Sequence, residues 1–240
     1  AATLVSAISY LVGIFLARSL GPVGRGDLAI ILNSLNLLYP LTNLGLRQAC
    51  AFMIARQNFS MRAARALQAR VLPFSTSLTF SAFLAVAALS TSASLELTEI
   101  LAVLAIIPLR LFFEFRSGLF LAGRRLPEYS ALQIVQPLTE AALVTSAFLL
   151  FGASIAVYLC CMACAYMFAA ILQSRRLGQD ADDTQYDQPI TMAIIAKAVK
   201  LGLTYALPLF VMGLNYSIDI ALLSFLGTQS NKIGFYSISV

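Results

Sequence analysis

In this chain of 240 residues, a few charges fall inside long apolar runs, and they are the residues whose types and spacing could do chemistry. Arg47 follows the uncharged stretch 28–46 and precedes Gln48. A guanidinium offers a planar fork of donors to an anionic ligand; the plainer reading is an arginine that snorkels or pairs with another helix. Glu140 follows Gln133, Gln136 and Pro137 in a second run, where a carboxylate either pairs with a cation or takes up a proton or Na⁺. Asp219 interrupts a third run, with Asn215 one turn earlier on the same helical face. Arg110, Glu114 and Arg116 occupy a fourth, spaced so that Arg110 and Glu114 could pair along one helix, with Pro108 nearby as a kink and gate. Arg18 and Arg25 flank a glycine-rich turn, as ligand groups or as interfacial anchors. Each mid-span charge needs a reason, because insertion at a helix centre costs about 2.5–3.5 kcal/mol.

Composition sets the medium in which that chemistry would occur. Hydrophobic residues make up 60% of the chain and charged residues 11%, where soluble domains run at about 25% charged. Mean hydropathy is +0.84. Such a chain is a membrane protein. It has no histidine, which excludes histidine metal sites and the commonest general base. Cys50, Cys160, Cys161 and Cys164 sit in apolar runs, so neither a disulfide framework nor a redox CxxC is expected. Arg25-Gly26-Asp27 and the glycines of 21–26 match an integrin tripeptide and a phosphate loop only superficially. No cofactor, metal or nucleic-acid partner is expected. No signal peptide precedes 3–16; the chain starts as though within a helix, as a fragment would.

A bilayer core needs about 20 apolar residues of helix. Seven runs qualify: 1–17, 28–55, 71–95, 100–121, 130–151, 154–174 and 201–226. The expected fold is therefore an all-α polytopic membrane protein with seven transmembrane helices. Breaks are expected at the run Gly21–Gly26 and at Phe151-Gly152-Ala153-Ser154. Twelve basic residues fall on one side: Arg56, Arg62, Arg65, Arg70, Arg110, Arg116, Arg124, Arg125, Arg175, Arg176, Lys197 and Lys200. Three, Arg18, Arg25 and Lys232, fall on the other, so the positive-inside rule places the N-terminus in the cytoplasm. Residues 56–70 read either as an amphipathic interfacial helix or as a solvated loop. The polar stretch Gly178–Pro189 reads as a linker; its aspartates lack the spacing of a calcium loop. The domains are thus 1–174, a six-helix bundle; 175–199, a cytoplasmic linker; and 200–240, the start of a second bundle.

Leu20-Gly21, followed after four intervening residues by Gly26, finds an echo in Leu226-Gly227, followed after six by Gly234. The second copy falls just after the linker, where a repeat of a six-helix unit should begin, and such repeats mark secondary transporters. The run Phe15-Leu16-Ala17-Arg18-Ser19-Leu20-Gly21-Pro22-Val23-Gly24-Arg25-Gly26 resembles the first hairpin of the polysaccharide flippases. These are the Wzx-type O-antigen and exopolysaccharide exporters of the multidrug/oligosaccharidyl-lipid/polysaccharide superfamily. Arg116-Ser117-Gly118-Leu119-Phe120-Leu121-Ala122-Gly123-Arg124 with Tyr129 and Gln136-Pro137 resembles their fourth-to-fifth hairpin. Leu207-Pro208-Leu209-Phe210, Ile218-Asp219 and Phe225-Leu226-Gly227 to Gly234-Phe235-Tyr236-Ser237 resemble the seventh helix and its turn.

The resemblance implies two six-helix bundles around a cavity, of which this chain holds the first bundle and the first helix of the next. It implies a bacterial inner-membrane transporter, not an enzyme, that moves oligosaccharides linked to polyprenyl diphosphate to the outer leaflet. Its partners would be that lipid-linked cargo, membrane lipids and the polysaccharide polymerase machinery. On this reading Arg47, Gln48, Arg18, Arg25 and Asn215 line the cavity, with Arg47 facing a diphosphate or acidic sugar. Glu140, Asp219, Arg110 and Glu114 couple an ion (H⁺ or Na⁺) or gate, with Glu140 and Arg47 pairing in one state. A cation-coupled multidrug exporter is the alternative within the superfamily; it should carry a carboxylate-rich cavity. A membrane-embedded glycosyltransferase or ligase would need a large outer loop, and a seven-helix sensor would begin outside.

Overall fold

The computed structural model describes residues 2–56, 59–89, 96–178 and 190–239. Among them the chain forms eight helices: α1 (Ala2–Thr42), α2 (Leu46–Arg56), α3 (Met61–Leu89), α4 (Leu97–Ala122), α5 (Leu126–Phe151), α6 (Ile155–Gly178), α7 (Met192–Phe225) and α8 (Ser230–Ser239). No strand occurs among the described residues. The all-α class is as expected, but the helices number eight rather than seven. Most of the polar linker, 179–189, lies outside the described residues, and so does the end of the expected third span.

Five helical stretches are long and apolar enough to cross a membrane: Thr3–Arg56, Met61–Ala88, Leu126–Phe151, Ile155–Gly178 and Met192–Asn215. They suggest a multi-pass membrane protein. Leu149, Leu150 and Phe151 are 80%, 76% and 78% exposed, an outward apolar face that suits lipid rather than water. α4 is not among the five, because Glu99, Arg110, Glu114 and Arg116 all lie on it.

Local signals account for most boundaries. α1 is broken at Gly21, whose φ of 69° and ψ of 179° suit only glycine, and Pro22 starts the second arm, where it has no N–H to lose. The expected breaker run is thus a single residue, and 22–26 is helical. A turn unforeseen in the run 28–55 separates α1 from α2: Asn43 Oδ1 accepts the Gly45 N–H at 2.8 Å, and Leu44 and Gly45 are both left-handed. Ser60 Oγ caps α3 by accepting the Ala63 N–H at 3.0 Å. Arg62, Arg65 and Arg70 therefore belong to α3 itself rather than to a separate interfacial helix or a loop. α4 ends where left-handed Arg124 lets the Arg125 N–H reach the Phe120 carbonyl at 2.9 Å. Gly152, with φ 83°, divides α5 from α6 at the expected place. α7 begins at Met192, well before the expected start of the seventh run.

α4 is central, packing on α2, α3, α5 and α6. Ile106, Leu111, Leu119 and Phe120 on it are fully buried. Its carbonyls also collect side-chain donors from three neighbours. Tyr39 of α1 reaches the Arg110 carbonyl at 3.3 Å, Gln68 of α3 the Phe115 carbonyl at 2.7 Å, and Gln173 of α6 the Phe113 carbonyl at 3.1 Å.

α1 packs along α7, and Asn33 Nδ2 donates to the Ser217 carbonyl at 2.9 Å. Two glycine crossings bring α1 against α8 and the turn before α2 against α7. A Cβ on Gly26 would stand 1.8 Å from the Ser230 carbonyl oxygen, and one on Gly234 would stand 2.0 Å from that of Pro22. The contact is reciprocal: each glycine meets the oxygen four residues before the other. It joins the two turns whose sequences echo one another, as a local two-fold would. Gly45 likewise meets Gly202 backbone to backbone, at 2.0 Å from a built Cβ to the carbonyl oxygen.

Gly45 (φ +56°) is therefore barred to a side chain by backbone angle and by space. Gly45→Ala is expected to cost about 3 kcal/mol or more of stability. Gly13→Ala, with nothing within 4 Å of its Cβ, should be neutral or gain up to about 1 kcal/mol. Thermal melts of the detergent-purified variants decide it; equal behaviour of the two would discredit the close crossing.

Candidate functional site

The charges of the spans gather at two centres. The first lies where α2, α4 and α5 meet. The turn before α2 fixes the register of Arg47, and Gly118 of α4 lets that helix approach the Arg47 backbone; a Cβ there would be 2.5 Å from the Arg47 carbonyl oxygen. Arg47 Nη1 donates to Glu114 Oε2 at 2.8 Å, and its Nη2 donates to the Tyr129 hydroxyl. The guanidinium also lies 5.4 Å from the centroid of the Tyr129 ring. The Arg47 and Glu114 side chains are 25% and 22% exposed, so the pair is largely desolvated but still reachable.

The second centre is a cavity of about 190 Å³ framed by both arms of α1 with α5 and α6. Ser9, Gly13 and Leu16 line it from one arm, Arg25 from the other, and Glu140 and Tyr158 from the facing helices. At about 30 Å³ per water, it has room for several. Glu140 is oriented by two donors, Tyr158 Oη at 2.7 Å and Gln136 Nε2 at 2.9 Å. Arg25 Nε is buried there without a hydrogen-bond partner.

Arg110 sits in the electrostatic field of both Glu114 and Glu140. It does not pair with Glu114 along α4 as its spacing predicts. Its guanidinium stacks over Tyr39 at 4.3 Å, and its Nε is buried without a partner. The expected pairing of Arg47 with Glu140 is likewise absent, because Glu114 and Tyr129 occupy Arg47. Gln48 stays half-buried beside Arg47, with Oε1 lacking a partner. Arg18 is exposed near the break in α1 and lies outside the cavity lining. Asn215 and Asp219 are both exposed on α7, and Asp219 accepts the Tyr236 hydroxyl of α8 at 2.8 Å. Pro108 sits within a continuous α4.

The partners that sequence reasoning missed are Tyr39, Tyr129 and Tyr158, together with the glutamines that tie α3 and α6 to α4. Gln136, four residues before Glu140, was the one local signal available. All four cysteines are free, and no cluster able to hold a metal occurs among the described residues. Comparison of the chain with protein-family models, curated proteins and solved structures finds no match in any of the three.

The ion pair has a direct test. Removing one partner strands the other in a poorly solvated site, so Arg47→Met alone should cost about 2 kcal/mol, between surface and buried pairs. Arg47→Met with Glu114→Leu should recover most of that. A double-mutant cycle on melting temperature measures it, and simply additive losses would show that the two do not interact.

Proposed function

We propose that this chain is part of a transporter that moves a polyprenyl-diphosphate-linked oligosaccharide across a bacterial inner membrane by alternating access. Three sequence stretches, in order, support it by their likeness to polysaccharide flippases. The observation that carries it is the cavity, where Arg25 and Glu140 stand in water-sized space inside an apolar bundle. A purely structural bundle would have no use for an unpartnered guanidinium there. The reciprocal contact of Gly26 and Gly234 also fits a protein built from two related bundles.

At about 190 Å³ the cavity is too small for an oligosaccharide. In this reading it serves the coupling ion, and the cargo passes elsewhere between the bundles. Glu140 takes up H⁺ or Na⁺, with Tyr158 and Gln136 holding its carboxylate in place. The mixed charge of the spans argues against a multidrug exporter, whose cationic drugs call for a carboxylate-rich cavity. In this reading the N-terminus lies in the cytoplasm, which the distribution of basic residues supports.

In a strain lacking the full-length gene, finished lipid-linked repeat units should accumulate on the cytoplasmic face while surface polysaccharide disappears. Units that cross normally would overturn the proposal. Glu140→Gln in the full-length protein should abolish ion-dependent transport at unchanged membrane abundance; transport that keeps its ion dependence would leave Glu140 a structural residue.

A further inference from the structure

Arg65 of α3 and Arg116 of α4 belong to neither centre. They carry like charge on two helices that pack directly on one another. Their relative position is set one turn away, where Gln68 donates to the carbonyl of Phe115, the residue before Arg116, at 2.7 Å. Both arginines are half-buried. Arg116 lies over the Phe112 ring at 4.8 Å, and Arg65 Nε is buried without a hydrogen-bond partner. Neither has a carboxylate within ion-pair distance among the described residues, since Glu114 is held by Arg47 and Glu128 by Arg125. Two partly desolvated like charges, held together with no counter-ion, form an arrangement that an anion would complete.

We propose that Arg65 and Arg116 bind one phosphate group on the α3–α4 face. A tetrahedral phosphate can accept from two guanidinium forks at once, which a planar carboxylate does less well. Depth favours a phospholipid headgroup as its source. Arg65 is about 6 Å along α3 from its first residue, and Arg116 about 9 Å along α4 from its last, at 1.5 Å per residue. That end of the bundle also carries Arg56, Arg62, Arg124 and Arg125, where an anionic leaflet would lie. The site does not depend on what the protein transports.

The test is thermal stability of the full-length protein in a neutral detergent, with phosphatidylglycerol, phosphatidylethanolamine or inorganic phosphate added. Phosphatidylglycerol should raise the melting temperature well beyond phosphatidylethanolamine. In Arg65→Gln/Arg116→Gln that gain should vanish, with apparent affinity weaker by about tenfold or more. Without lipid, the double variant should melt at or above the parent temperature because the repulsion is gone; a structural arginine pair would lower it. Arg65→Lys/Arg116→Lys, which keeps charge without the fork, should retain part of the gain. Arg175→Gln/Arg176→Gln removes as much charge at an exposed site and should retain all of it. If the double variant does not fold, Arg116→Gln alone carries the comparison. Stabilisation by inorganic phosphate as strong as by the lipid would support the site with free phosphate as its source; inert phosphate beside active lipid supports the headgroup. An undiminished lipid response in the glutamine variants, or an equal loss in the Arg175/Arg176 control, would overturn the proposal.

Discussion

A charge inside hydrocarbon is tolerated only when another protein group answers it, and α4 is where this chain meets that condition most often. The helix carries Arg110, Glu114 and Arg116 through the middle of the bundle. Side chains from other helices reach it: Arg47 of α2 with an ion pair, Tyr39 of α1 with an aromatic face, Gln68 of α3 and Gln173 of α6 as donors to its carbonyls. An isolated helix with these charges would be a poor membrane span. Surrounded by four helices, it becomes the element that determines how they sit.

Apolar helices gain little from one another in lipid, so packing must come from close fit and polar contacts. The glycine crossings provide the fit. Gly26 against Gly234, Gly45 against Gly202, and Gly118 against the Arg47 backbone bring main chains to distances that any side chain would forbid. These contacts join α1 to α8, the turn before α2 to α7, and α4 to α2, and so position the arms from which Arg25 and Arg47 project. The steric constraint and the electrostatic one meet at Arg47, where Gly118 permits the approach and Glu114 holds the charge.

The three groups of charges differ in how completely they are answered. Arg47 and Glu114 are paired and tied to Tyr129, an arrangement that closes the α2–α4–α5 junction. Glu140 is hydrogen-bonded but faces water-sized space shared with Arg25, so its partner can change. Arg110 bonds to neither carboxylate and stacks over Tyr39 instead. The charges thus range from a closed pair to a carboxylate that borders open space.

Much of this protein was legible from residue order, because the signals concerned are local. Apolar composition established the medium, run lengths the all-helical class, and Gly21 and Gly152 two of the breaks, since a backbone with positive φ depends chiefly on the residue itself. The turn at 43–45 escaped because Asn43 and Gly45 lie inside an otherwise uninterrupted apolar run, and α8 because it is too short to register as a span. The sequence also showed which charges lie within spans. It could not say which of them meet. Arg110 and Glu114 share a helix at a pairing distance, yet Glu114 answers Arg47, 67 positions away, and Arg110 turns to Tyr39. Partner choice follows from the rotation and register of whole helices, and here backbone contacts at glycines distant in sequence decide those. Local order therefore determined the elements and their charges, and only the tertiary structure decided the pairs, because a desolvated charge takes the partner that packing brings within reach.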